Sequence, residues 1–103
     1  MKRFILTPRA RQDVNDIWDY IANDNIEAAD RVLDALDNAM LKLAKNPGIG
    51  HRRDELTDQR HRFLLVYSHL IVYRHETKPI QIIRVLHAAR DVQSILGLAP
   101  DEL

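Results

Sequence analysis

The sequence predicts an α+β fold, with a helical hairpin covering one face of a mostly antiparallel four-stranded sheet in the order β-α-α-β-β-β. Three observations carry that expectation. Two amphipathic patterns with helical spacing occupy the first half of the chain. Three runs rich in Ile, Val, Leu and Tyr follow at hairpin spacing in the second half. A short apolar run before the helices supplies one early strand.

That early strand is Arg3 to Leu6. Thr7-Pro8 then reads as a helix start, because a Thr side chain can accept a backbone N–H at the N-cap and Pro is tolerated at the first helical position. Ala10, Val14, Ile17, Trp18, Ile21 and Ala22 follow at spacings of three and four, while Asp13, Asp16 and Asp19 lie off that stripe. Asn23-Asp24-Asn25 is a turn cluster. A second stripe runs through Ile26, Ala29, Leu33, Leu36, Met40 and Leu43, with Lys42 and Lys45 suited to the negative end of the helix. Asn46-Pro47-Gly48-Ile49-Gly50 ends it. So short a turn packs the two helices as an antiparallel hairpin.

His51 to Gln59 is polar and reads as loop. Arg62–Tyr67, Leu70–His75 and Ile80–His87 read as strands, separated by Ser68-His69 and by Thr77-Lys78-Pro79. Asp91 to Leu96 is compatible with a short terminal helix, ended by Gly97 and Pro100. The other sheet face is expected to be partly open. The 103 residues fit one domain, spanning 1–103.

Composition narrows the function classes. With no cysteine, disulfides, thiolate metal sites and Cys nucleophiles are excluded, which suits a reducing, cytoplasmic location. The basic start Met1-Lys2-Arg3 is followed by too short an apolar run for a secretory signal, since Pro8, Arg9 and Arg11 interrupt it. No apolar stretch approaches the ~20 residues of a membrane span. The five histidines show no ligand spacing and there is no Gly-rich phosphate loop, so no metal and no cofactor is expected.

Net charge is zero but unevenly spread. Between Asp13 and Asn38 eight acids face one base, Arg31. Between Lys42 and Arg90 ten Lys/Arg face four acids, and all five histidines lie there. Both sets suit solvated surface; the second also suits an anionic partner. Overall neutrality argues against strong nonspecific DNA binding.

Five segments in register resemble the RelE/ParE superfamily, closest to its ParE-like members. They are Leu6-Thr7-Pro8-Arg9-Ala10, Asp16-Ile17-Trp18-Asp19-Tyr20-Ile21-Ala22, Leu43-Ala44-Lys45-Asn46-Pro47-Gly48-Ile49-Gly50, Leu70-Ile71-Val72-Tyr73-Arg74, and Ile82-Ile83-Arg84-Val85-Leu86-His87-Ala88-Ala89-Arg90-Asp91. The resemblance implies a bacterial toxin of a type II toxin–antitoxin system, silenced by an adjacently encoded antitoxin that alone binds operator DNA. RelE-like members cut messenger RNA in the ribosome. ParE-like members poison DNA gyrase.

RNA cleavage by 2′-hydroxyl attack needs a base, a cation for the charged phosphorane and an acid for the leaving oxygen. The resemblance places the RelE-like catalytic Arg opposite Ala88 and the catalytic Tyr opposite Ser94, and neither residue can substitute. Another nuclease branch uses a His-Tyr pair; His87 is present, but no Tyr follows Tyr73. If the chain is a nuclease, His87 and Arg84 are its candidate catalytic residues. Equally, Arg84, expected to share a face with Ile82 and Leu86, can pair with a carboxylate or snorkel, and His87 can be a satisfied structural histidine. Trp18 and Tyr20 suit core and rim better than base stacking. Antitoxin or target contacts are expected at Arg60, Arg62, Tyr73, Arg84, His87 and Arg90. The leading reading is a ParE-like toxin that inhibits growth by binding gyrase. The alternatives are a ribosome-dependent mRNA endonuclease and an inactive partner-binding member.

Overall fold

The computed structural model describes residues 4–52 and 61–89 of the 103. The early strand is β1 (Phe4–Leu6), and the helices are α1 (Pro8–Ala22) and α2 (Ile26–Lys45). A 3₁₀ turn at Pro47–Ile49 leads into β2 (His51–Arg52); then come β3 (His61–Val66), β4 (His69–Arg74) and β5 (Ile80–His87). The sheet order is β1-β5-β4-β3-β2, with β1 parallel to β5 and every other pair antiparallel. The expected α+β order holds. The two-residue β2, which pairs His51 with Phe63 and Arg52 with Arg62, falls in a segment expected to be loop. Polar residues on a sheet edge carry no alternating pattern that would have revealed it.

The helix starts follow their caps. Thr7 Oγ1 accepts from the Ala10 N–H at 3.1 Å and donates to the Ile83 carbonyl at 2.9 Å. One side chain therefore starts α1 and fastens it to β5. Asn25 Oδ1 caps α2 in the same way, accepting from the Ala28 N–H at 3.0 Å. The α1 stripe is largely as expected, with Ala10 and Ile17 buried and Val14 and Ile21 packed against them. Trp18 leaves that stripe for α2, where its Nε1–H donates to Asp30 at 2.9 Å. On α2 the buried face is Ala29, Leu36, Ala39, Met40 and Leu43, while Ile26 and Leu33 are exposed. The stripe expected through Leu33 passes instead through Val32, one position earlier, which packs against the core.

The β3–β4 hairpin turns through Tyr67-Ser68, one residue earlier than expected, with Val66 opposite His69. Between β4 and β5 the register shifts: Val72 faces Arg84 but Tyr73 faces Ile82, which leaves Ile83 as a bulge residue. That bulge reverses the side-chain alternation along β5. Ile82 joins the helix-facing core and Leu86 joins the opposite face, so the expectation that Ile82, Arg84 and Leu86 share one face fails. A period-two reading cannot see an inserted residue.

Two clusters result. The larger lies between helices and sheet and includes Leu36, Met40, Leu43, Ile71, Tyr73 and Ile82. The smaller, on the far face, is Phe63, Leu70, Val72, Ile83 and Leu86, all at most 6% exposed. The far face is therefore closed at these five positions and open at Leu65, which is 58% exposed, in keeping with the expected partly open face. The expected helix at 91–96 lies outside the described residues.

Candidate functional site

The residues singled out from sequence do not converge on one point. Arg60, Arg90 and Ser94 lie outside the described residues. Arg62, Tyr73, Arg84 and His87 fall into three separate settings.

At one end of the sheet, Arg62 on β3 stands opposite Tyr73 on β4. Tyr73 is fully buried. Its hydroxyl donates to the Pro47 carbonyl at 2.6 Å and accepts from the Gly50 N–H at 3.0 Å. Arg62 Nη1 adds a donation to the Gly50 carbonyl at 3.3 Å. Burial raises the Tyr73 pKa above its ordinary 10.0, against the opposing pull of the Gly50 N–H and the Arg62 charge. A Cβ on Gly50 would collide with the Tyr73 Oη, Cε1 and Cζ, so the loop approaches the ring as closely as glycine permits. Tyr73 thus holds the 46–50 loop and presents no surface of its own for direct contact.

In the middle of β5, Arg84 is held by α1. Its Nε donates to Asp13 Oδ2 at 2.7 Å and its Nη2 to Asp13 Oδ1 at 3.1 Å. Asp13 Oδ2 also accepts the Val85 N–H at 3.0 Å, past the point where β1 stops pairing. Both side chains are largely buried, at 11% and 14% exposure. This is the carboxylate pairing that the sequence allowed for Arg84. A guanidinium neutralised in a fork is poorly placed to stabilise a phosphorane.

At the far end of β5, His87 stands opposite His69, their rings edge to face with centroids 5.5 Å apart. Both line a cleft of about 300 Å³ together with Ile17, Tyr20, Ile21, Val32, Tyr67 and Ser68. Ala88, whose N–H donates to the Ser68 carbonyl at 2.8 Å, closes this end and brings no side-chain donor. Along β4, His69 and Tyr73 lie four positions apart, or ~13 Å at ordinary strand rise. A second groove, about 460 Å³, runs along the outside of the hairpin past Gln12, Val14, Asn15, Trp18, Asp19 and Leu33. Among the described residues there is no group of three His, Asp or Glu able to hold a metal, and no helix long and apolar enough to cross a membrane.

Sequence reasoning missed Asp13, Gly50, Tyr67 and His69. Asp13 was counted as one more solvent-facing acid, and its partner lies 71 residues away. Gly50 read only as a helix stop. Tyr67 read as the last residue of a strand, although it opens the turn.

The model of the ParE toxin of type II toxin–antitoxin systems, parDE, matches residues 4–92. Toxin ParE1 of Mycobacterium tuberculosis (strain ATCC 25618 / H37Rv) is 34% identical over 92 residues, covering 87% of this chain and 93% of that protein. Toxin ParE1 of Caulobacter vibrioides is 33% identical over 98 residues, covering 94% and 100%. Toxin RelE3 of the same organism is 26% identical over 88 residues, covering 85% and 96%. A solved chain described as the chromosomal ParDE TA system from P. aeruginosa shares the fold, with a TM-score of 0.68 at 22% identity over 82% of this chain and 92% of that one. With a family match across nearly its whole length, the chain belongs to the ParE toxins of type II toxin–antitoxin systems.

Proposed function

We propose that this ParE-family chain arrests bacterial growth in the cytoplasm by binding DNA gyrase, and that a cognate antitoxin neutralises it. The observation that carries the reading is family membership joined to an incomplete nuclease set. Ala88 stands where a RelE-like catalytic Arg is expected, and Arg84 is committed to Asp13. Purified toxin in stoichiometric excess should inhibit gyrase supercoiling or trap cleaved DNA; the absence of both effects would sink the proposal.

The antitoxin is expected to use the groove beside α1 and α2 for a helix, and the cationic half of the chain for an acidic extended segment. Arg60, Arg62, His87 and Arg90 are the proposed direct contacts, with Tyr73 and Arg84 supporting them from within. An association rate that does not fall with salt would count against this arrangement. A second reading, ribosome-dependent mRNA cleavage, draws on the 26% identity to Toxin RelE3 and on the placement of His87 in a cleft. Primer extension on translated messages separates the two, since cuts in codon register that disappear with His87→Ala belong to the nuclease.

A further inference from the structure

We propose that the cleft between the α1 C-terminus and the β3–β4 turn is a docking site for one aromatic side chain of a partner protein segment rich in Lys and Arg. This surface shares His87 with the antitoxin contacts proposed above and otherwise uses residues assigned to neither the groove nor the cationic face.

Tyr67 motivates the proposal. Its φ is +54°, the left-handed region that a bulky side chain adopts at a cost, and its side chain is 69% exposed. Asn or Gly would make this turn more cheaply. The fold therefore gains little from an aromatic ring at this position. Across the cleft Tyr20 is 67% exposed, so two amphipathic rings form its lips. Ile17, Ile21 and Val32 supply apolar walls, while Ser68, His69 and His87 form a polar rim. The His69–His87 pair already packs ring edge against ring face.

Size and charge select the occupant. At about 300 Å³ the cleft sits at the floor of the range for small-molecule pockets. It suits one inserted side chain better than a larger ligand. Among the described residues no Lys or Arg lines it, which disfavours a phosphate-bearing ligand. The last turn of α1 carries no basic residue, so its carbonyl pole stays negative beside the cleft. Asp16, one helical turn before Tyr20, and Asp24, just past the helix end, are both exposed. An aromatic anchor flanked by cations matches this rim, and the exposed tyrosine faces can take cation–π contacts.

The test uses the purified full chain and an eleven-residue Gly/Ser peptide with a central Trp flanked by two Lys on each side. Amide shifts at Tyr20, Tyr67, Ser68 and His87 are followed on titration. The peptide should move these four resonances, and a Glu-flanked counterpart should bind about tenfold more weakly. Replacing the peptide Trp by Ala should remove the shifts. Tyr67→Asn should weaken binding about fivefold while the melting temperature stays level or rises by a few degrees. Tyr20→Ser should weaken it as well, without touching the turn. No shifts at millimolar peptide, shifts confined to other residues, or equal binding of the Glu-flanked peptide would each overturn the proposal. None of these readouts depends on whether gyrase is the target.

Discussion

Tyr73 and Tyr67 lie on the same hairpin and follow opposite rules. Tyr73 is fully buried, and its hydroxyl satisfies a carbonyl and an N–H of the 46–50 loop. Tyr67 is mostly exposed and occupies a backbone conformation that its side chain disfavours. One ring belongs to the fold, and the other costs it something. The difference separates residues kept for stability from those available for recognition, and it can be probed by substitutions whose effects differ in size and sign.

The largest effect should come between the two tyrosines, at the clamp joining α1 to β5. Asp13→Ala strands the Arg84 guanidinium and the Val85 N–H, and should cost about 3 kcal/mol in chemical denaturation. Replacing both partners, Asp13→Ala with Arg84→Met, should recover much of that loss, because no unpaired charge then remains. A double variant no more stable than Asp13→Ala would mean that the Val85 hydrogen bond, rather than the ion pair, carries the stabilisation.

Next is the Tyr73 end. Gly50→Ala forces a methyl group into the ring and should cost about 2–3 kcal/mol. Tyr73→Phe removes the collision-prone hydroxyl but orphans the Gly50 N–H and the Pro47 carbonyl, for about 1–2 kcal/mol. The pair should not be additive: Gly50→Ala should cost less on the Tyr73→Phe background, since the atom nearest to the new Cβ is gone. Equal costs on both backgrounds would place the strain of Gly50→Ala somewhere other than the hydroxyl.

Tyr73 also makes stability depend on pH. Its folded pKa lies above the ordinary 10.0, so folding favours the neutral phenol. That contribution is complete below pH 10 and is lost as pH rises through the folded pKa. Denaturant midpoints measured from pH 8 to 11 should therefore fall more steeply in the wild type than in Tyr73→Phe. Parallel curves would show that Tyr73 ionises no differently in the two states.

How much of this was legible in the sequence depends on the reach of each signal. Both helices announced themselves through local signals: α1 through Thr7-Pro8 and its stripe, α2 through its stripe and the Asn23-Asp24-Asn25 turn before it, within which the structure makes Asn25 the cap. Strand β5 was placed at its observed limits because turn residues bound it on one side. Arg84 and Asp13 could each be read, but not their pairing across 71 residues. The bulge at Ile83 was invisible because an inserted residue leaves the composition of a strand unchanged while reversing its faces. The site was harder still to read. Sequence resemblance directed attention to cations on the sheet, whereas folding turns Arg84 toward Asp13 and Tyr73 toward the 46–50 loop. It leaves His87 beside two tyrosines that carried no cation signal.

The smallest effect tests the other half of the comparison. Tyr67→Asn places at φ +54° a residue that tolerates the left-handed region, and should stabilise the chain by about 0.5–1 kcal/mol. Tyr67→Ala keeps the strain and removes the ring, so it separates the backbone contribution from whatever the ring supplies by packing. If the ring contributes little to folding, Ala should be nearly neutral and Asn stabilising. If the ring is a structural wall of the cleft, both should lose stability together, and Tyr67 would then join Tyr73 as a residue of the fold. Urea midpoints of the two variants against wild type decide between these outcomes. The sign of the Asn effect matters more than its size, because a stabilising substitution at an exposed, strained aromatic is what a residue retained for binding would show.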